Sequence, residues 1–378
     1  MRLAFIVAGL IVAFHLGAGW VFAGQINGDG LEPKAPARNY GVTVDAVEGD
    51  LITLGGDDEA LDDAGAYGLV WDDGFGHVGE VESATDGAVR RPFVLIEGES
   101  PPMGPIEVDL DAWMYPTDPG DASLAFADNT YDAGLGPMDA WYVPSAESVA
   151  RRWAIHIHGW RADRRETIRL LPLFAASGID SLVIEYRNDS SAPADPSGLY
   201  RFGRTEWEDV EAAVRHALDQ GAEEVVLVGY STGAAAAMSF VERSPLAGTV
   251  AGAVFDAPNI DFGRVVKTEA QNTRLLPGLP FTVPPTVTAT AMAIADVRFD
   301  VDWGSIDYVG RAGDWDTPTL VFHGDADGTV PLAVSEDFAA TSPDLVELVV
   351  IEGADHVTSW NVDRTRYETE LLEFLASL

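Results

Sequence analysis

Ser231 stands in Gly229-Tyr230-Ser231-Thr232-Gly233, between the apolar run Val225-Val226-Leu227-Val228 and the small-residue stretch Ala234 to Met238. The run reads as a buried strand and the stretch as the start of a helix. The serine therefore falls on a strand-to-helix turn, where the glycines permit the tight backbone and the alanines let the helix pack closely. A hydroxyl there becomes a nucleophile if a base takes its proton; without one it is only a helix N-cap. His356, in Gly353-Ala354-Asp355-His356, follows the last strand and precedes the C-terminal helix, which makes it the candidate base. The third member should be a carboxylate lying between the two in chain order. His323-Gly-Asp325-Ala-Asp327-Gly-Thr-Val-Pro331 supplies two. Asp327 is favoured, because the turn beginning at Gly328 lets it face back toward His356. Asp325 would then cap the turn, and Asp256, at the end of an earlier strand, is a weaker candidate.

Acyl transfer also needs two backbone N–H groups aimed at one point. Thr232 directly follows the nucleophile and supplies the first. The second is expected from Trp160, in Ile155-His156-Ile157-His158-Gly159-Trp160, where Gly159 turns the chain. His158, at a strand end before a glycine, reads as a residue that holds this loop rather than as a base.

These segments require a scaffold that puts strand ends side by side. Strand-like runs at Trp153–His158, Ser181–Tyr186, Glu224–Gly229, Val250–Asp256, Thr319–His323 and Leu345–Ile351 alternate with helical stretches. That alternation marks a parallel sheet with helices on its faces. The clearest helix starts at Thr205, where Thr205-x-x-Glu208 has the form of a capping box, and stops at Gly221. A hairpin over Ala125–Tyr131 and Met138–Val143 precedes the alternation.

With His-Gly-Trp, Gly-Tyr-Ser-Thr-Gly, His-Gly-x-x-Asp and Asp-His in this order, residues 113 to 378 resemble the α/β-hydrolase superfamily. They are most similar to its prolyl-oligopeptidase-like and serine-aminopeptidase-like branches, in which His-Gly-x-x-Asp-x-x-Val-Pro carries the acid. The resemblance implies an α/β-hydrolase fold and a triad of Ser231, Asp327 and His356. His158-Gly-Trp-Arg-Ala-Asp-Arg-Arg-Glu166 also resembles hydrolases of this superfamily from GC-rich bacteria. The chain departs from the peptidases in lacking room for a β-propeller.

The rest of the chain divides by composition. Leu3 to Gly24 carries no charge and is long enough to span a bilayer. It is expected to be a signal anchor, or a signal peptide leaving at Val21-Phe22-Ala23. Residues 25–40, broken by Gly28, Gly30, Pro33 and Pro36, read as a linker. Residues 41–112 hold short strand-like runs punctuated by Gly-Asp and Asp-Gly turns, a small β-rich module. An insertion at about 258–315 is apolar and proline-rich, with Ala289–Val297 helical, and reads equally as a lid or as ordinary packing helices.

Twenty-three basic against 61 acidic residues give a net charge of −38. Such a field repels phosphate backbones, so no nucleic-acid partner is expected. The absence of cysteine excludes thiol catalysis, disulfides and cysteine-ligated zinc. No cofactor and no metal is called for. With Arg2 ahead of the apolar segment and acidic residues behind it, the catalytic part belongs outside the cytoplasm, membrane-anchored or secreted. The expected activity is a serine esterase acting on a small-molecule ester through an acyl-enzyme. A peptidase of the same fold and a non-catalytic binding protein are the alternatives. Arg161, Arg164 and Arg165 are read as a solvated helix start rather than an anion site. Trp160, Trp207, Trp303, Trp315 and Trp360 could line an apolar pocket.

Overall fold

The computed structural model describes residues 2–85, 87–146, 151–276 and 280–378. Helix α1 (Arg2–Gln25) runs directly into a wider helical turn over Ile26–Leu31, so the expected linker begins as helix. Leu31 is buried, and its carbonyl accepts the Tyr200 N–H. Residues 33–41 beyond it have no regular secondary structure.

The β-rich region builds a closed antiparallel barrel. Its strands are β1 (Val42–Glu48), β2 (Leu51–Gly56), β3 (Tyr67–Trp71), β4 (Gly74–Val78), β5 (Ser83–Thr85), β6 (Ala88–Gly98) and β7 (Gly104–Asp111). They run in the order β2-β1-β7-β3-β4-β6, and β6 pairs back onto β2, with β5 attached to β6. Alternating side chains such as Val42, Val44, Ile52, Leu54, Leu69 and Val108 fill the interior. Arg91 is fully buried, and its Nη1 and Nη2 donate to the Leu61, Asp63, Gly65 and Gly79 carbonyls, closing one end of the barrel with a charge held by backbone oxygens.

The larger sheet contains β8 (Ala127–Ala133), β9 (Gly136–Val143), β10 (Arg152–Ile157), β11 (Asp180–Ile184), β12 (Glu224–Tyr230), β13 (Val250–Asp256), β14 (Thr319–Gly324) and β15 (Val346–Ile351). Its order is β15-β14-β13-β12-β10-β11-β9-β8; β10 to β15 are parallel, and the β8–β9 hairpin adds an antiparallel edge. The helices are α2 (Leu171–Ala176), α3 (Trp207–Asp219), α4 (Thr232–Arg243), α5 (Phe262–Asn272), α6 (Pro285–Phe299), α7 (Ala333–Thr341), α8 (Ser359–Val362) and α9 (Arg364–Ser377). The central strands are buried on both faces, which is why they read as continuous apolar runs.

The capping box expected at Thr205 does not form. Helix α3 starts at Trp207 with no side-chain cap, because stronger partners take both residues. Thr205 Oγ1 donates to Asp195 at 2.9 Å, and Glu208 accepts from Arg187 at 2.9 Å. Arg187 also grips Asp209, buried beneath it.

The insertion between β13 and β14 contains α5, a short hairpin bridged at Arg274 and Thr282, and α6. Helix α6 is longer than the expected Ala289–Val297. Helix α1 packs along it: His15 Nε2 lies 3.0 Å from Thr286 Oγ1, and the Arg298 guanidinium stacks 3.8 Å over the Trp20 ring. Gly19 makes the approach possible, since a Cβ there would lie 2.8 Å from Thr290 Cγ2.

Candidate active site

The strand ends converge on one edge of the large sheet. Register places Ile157 of β10 beside Gly229 of β12, and Tyr230 beside Asp256 of β13. The loops after β10, β12, β14 and β15 therefore meet at the carboxyl ends, where open α/β sheets bind ligands.

Ser231 occupies the turn between β12 and α4 with φ 47° and ψ −113°, a sparsely populated conformation for a non-glycine residue. Its neighbours have no space to spare. A Cβ on Gly229 would meet Ala234 N at 2.6 Å, and one on Gly233 would meet Ile157 O at 2.1 Å. The backbone holds the turn through Ser231 N–H to Asp256 O at 2.9 Å and Asn259 N–H to Ser231 O at 3.0 Å. The strain is thus sustained by surroundings that leave no alternative path.

His356 Nε2 lies 2.9 Å from Ser231 Oγ, and its Nδ1 lies 2.8 Å from Asp327 Oδ2. Asp327 Oδ1 accepts the N–H groups of Thr329 and Val330, so the turn after β14 aims Oδ2 at the histidine. His323 Nε2, 3.2 Å from the same Oδ2, supports it from below. Burial alone would raise the Asp327 carboxyl; the hydrogen bonds from His323 and His356 outweigh it and hold the group well below the usual carboxylate range. Burial likewise opposes protonation of His356, but the Asp327 bond and charge prevail and raise its pKa.

The two other carboxylates are engaged elsewhere. Asp325 Oδ1 accepts the Gly353 N–H at 2.7 Å and fixes the loop that leads to His356. Asp256 is buried beneath the site, accepts the Tyr367 hydroxyl at 3.2 Å and lies 3.9 Å from Arg169; burial raises its pKa to about 6. Neither bonds to His356.

A Cβ on Gly159, the residue before Trp160, would meet Ser231 Cβ at 3.2 Å, and Thr232 directly follows Ser231. Thr232 is the first residue of α4, where helix geometry provides no carbonyl for its N–H. His158 is buried, stacks on Tyr186 and bonds to Asp189 Oδ2 at 2.9 Å and to Gly159 O at 3.0 Å. Burial disfavours its charge, but Asp189 overcomes this and raises its pKa to about 9. Its contacts are those of a residue holding the loop.

Ser231 and His356 open onto a cavity of about 650 Å³. Its walls include Phe22 and Ile26 from the α1 segment, Phe262, Val265 and Val266 from α5, and Thr288 and Ala291 from α6. Of the five tryptophans considered from sequence, Trp160 alone lines it; Trp315 and Trp360 are core, and Trp303 donates to Met292 O beside Phe262. The arginines are not a solvated helix start. Arg164 pairs with Glu185 over the Trp141 ring, and Arg165 pairs with Asp163. Arg161 lies at the cavity, stacked on Trp160 and donating to Gly28 O.

Residues 154–368, more than half of the chain, match the family model described as "Alpha/beta hydrolase family". The chain belongs to the alpha/beta hydrolase family. No curated protein is detectably similar in sequence. Among solved structures, an esterase of Pyrococcus furiosus superposes with a TM-score of 0.54 at 17% identity, covering 70% of this chain and 95% of that one. The esterase RhEst1 from Rhodococcus sp. gives 0.47 at 18% identity, covering 66% of this chain and 99% of that one. At 17% identity, the likeness to the Pyrococcus furiosus esterase is one of fold.

Several residues of this alpha/beta hydrolase that shape the site carried no sequence signal as single positions. Glu166, fully buried at the cavity wall, accepts the Gly159 N–H at 2.7 Å. Arg169 donates to Val357 O beside His356, to Ala112 O at the end of the barrel and to Asn361 Oδ1. Asn361 in turn donates to Ala66 O and Ala112 O, so the barrel is bonded to the segment that carries the histidine. Asp355 Oδ1 accepts from Gly328 N and His356 N, tying the loop after β14 to the loop after β15. Among the described residues no cluster of metal-binding type occurs.

Proposed function

We propose that this alpha/beta hydrolase cleaves carboxylic esters, with Ser231 as nucleophile, His356 as general base and Asp327 as its orienting carboxylate. The observation that carries the reading is the relay from Ser231 Oγ through His356 to Asp327, at 2.9 and 2.8 Å, opening onto a cavity with apolar walls. Ser231 Oγ attacks the ester carbonyl as its proton passes to His356 Nε2. The resulting oxyanion sits between the N–H groups of Trp160 and Thr232. Collapse expels the alcohol, which takes the proton from His356. Water then attacks the acyl-enzyme by the same route in reverse.

The apolar wall residues favour an acyl group over a charged peptide. Uncleaved, α1 anchors the enzyme in the membrane with the hydrolase domain outside the cytoplasm, and its packing on α6 and its part in the cavity wall support retention. One observation favours a second reading: Asp29 and Glu269 also line the cavity and could hold the ammonium of a peptide substrate.

The test is labelling of Ser231 by a fluorophosphonate, followed by kcat/KM on p-nitrophenyl acetate, butyrate and octanoate beside aminoacyl and prolyl anilides. Labelling with ester turnover is expected. Preference for an anilide over every ester, after correction for intrinsic reactivity, moves the enzyme to the peptidases; no labelling leaves a binding protein.

A further inference from the structure

In a chain with 61 acidic residues, two segments carry no Asp, Glu, Lys or Arg over a long run: Leu3 to Gly28, and Leu275 to Ala295. They are far apart in sequence and adjacent in the fold. The contacts of α1 with α6 advance in the same direction along both helices, from His15 with Thr286, through Gly19 with Thr290, to Trp20 with Arg298. The helices thus lie side by side and parallel. The far end of α6 is tied to the hydrolase body, where Arg201 donates to Phe299 O and Asp300 O and Arg204 bonds to Asp300. Its near end, with the hairpin before it, is turned toward the start of α1.

Charge marks a level across both helices. Trp20 on α1 and Arg298 on α6 stack on one another, and these residue types concentrate at a membrane–water interface. From Leu3 to Trp20 the helix rises about 26 Å at about 1.5 Å per residue, close to the hydrocarbon thickness of about 30 Å. With Trp20 at the interface, the uncharged part of α6 and its hairpin fall below it, within the outer leaflet. Leu276 and Phe281 on that hairpin are 53% and 64% exposed to solvent in the isolated chain, a costly arrangement in water and a favourable one in lipid. Thr288 and Ala291 lie within the same uncharged stretch and line the cavity that reaches Ser231.

We infer that the α5–α6 insertion is seated in the bilayer beside α1, and that the substrate is an uncharged long-chain acyl ester drawn directly from the membrane. This rests on the esterase reading above and names its substrate class. The acidic bulk of the domain is repelled by anionic headgroups, so apolar insertion next to the anchor is what holds the cavity at the lipid surface.

The experiment uses the full chain in phosphatidylcholine vesicles, with p-nitrophenyl butyrate in the water and dioleoylglycerol in the bilayer. The wild type is expected to hydrolyse both. Leu276→Asp and Phe281→Asp should leave butyrate turnover within twofold and cut dioleoylglycerol turnover at least tenfold. Equal retention of both activities by the variants overturns the inference, as does a wild type that cleaves butyrate alone; the esterase reading survives either result. Loss of both in the wild type overturns the esterase reading and this one with it. Because the chain has no cysteine, Phe281→Cys takes a single environment-sensitive fluorophore. Blue-shifted emission quenched by a lipid-phase quencher is expected. Water-like emission, or a blue shift that the lipid quencher does not reach because a second copy covers the hairpin, overturns insertion.

Discussion

The Glu166 carboxylate accepts the Gly159 N–H at 2.7 Å and so helps to hold the His158–Gly159 peptide just before Trp160. Burial pushes the Glu166 carboxyl up, while the Gly159 N–H and the charge on His158 favour its ionised form. Glu166→Ala leaves a buried N–H without its acceptor, a cost of about 1–3 kcal/mol. It should lower kcat about 10- to 100-fold, in the range that follows loss of an oxyanion donor, with little change in KM. Glu166→Gln retains an acceptor and should keep most of both. Urea unfolding and kcat measured on both variants check this; wild-type kcat in a folded Glu166→Ala protein would remove the proposed link to the oxyanion loop.

Ser231→Ala and His356→Ala should each reduce kcat by about 10⁶-fold while leaving the fold intact, since members of a triad act as a unit. The double variant should be no worse than either single one. Circular dichroism and titration of an active-site label would accompany the kinetics. More than a tenth of wild-type activity in folded Ser231→Ala rules out the nucleophile.

Among the three nearby aspartates, only the loss of Asp327 should disable the relay. Asp327→Asn favours the wrong histidine tautomer and should cost about 10⁴-fold in kcat, as such a change does in triads generally. Asp325→Asn and Asp256→Asn should cost far less in rate and should lower stability instead. The pH profile separates these cases. His356 must be neutral to act, and its pKa is raised above 6.5, so kcat/KM should climb through a midpoint above that value. Asp327→Asn should move the midpoint down. A midpoint unmoved in Asp327→Asn would detach the acid from the base.

The buried pair of His158 and Asp189 makes stability depend on pH in a stated direction. The folded pKa of His158, about 9, exceeds its ordinary 6.5. Its contribution is therefore complete below 6.5 and is lost as pH rises through 9. That interval corresponds to on the order of 3 kcal/mol. Wild-type unfolding free energy should fall across it, and Asp189→Asn should flatten the dependence while destabilising the protein at pH 6. Urea titrations at pH 6, 8 and 10 measure both effects. An Asp189→Asn profile as steep as wild type would assign the dependence elsewhere.

Local pattern made much of this molecule legible. The apolar runs that became β10 to β15 are recognisable because a strand buried on both faces has no choice but to be apolar throughout. The candidate residues Ser231, Asp327 and His356 could be picked out because each follows such a run, and the fold brings them within hydrogen-bond reach of one another. Where local pattern misled, a long-range partner had intervened. Thr205 and Glu208 have the spacing of a capping box, yet Asp195 and Arg187 claim them. Ile26 to Leu31 have the composition of a linker, yet the buried seat of Leu31 keeps them helical.

What the sequence alone determined, then, is the order of strands and turns and the residue types at their ends, since backbone sterics and burial act on near neighbours. Tertiary structure decided the rest. Closure of the barrel depends on β6 meeting β2, and the bond of Glu166 to Gly159 depends on a helical turn folding back over the loop after β10. The placing of α1 against α6, with both helices walling the cavity, joins segments more than 260 residues apart. Apolar periodicity states that a surface must be covered; only the packed chain determines by what.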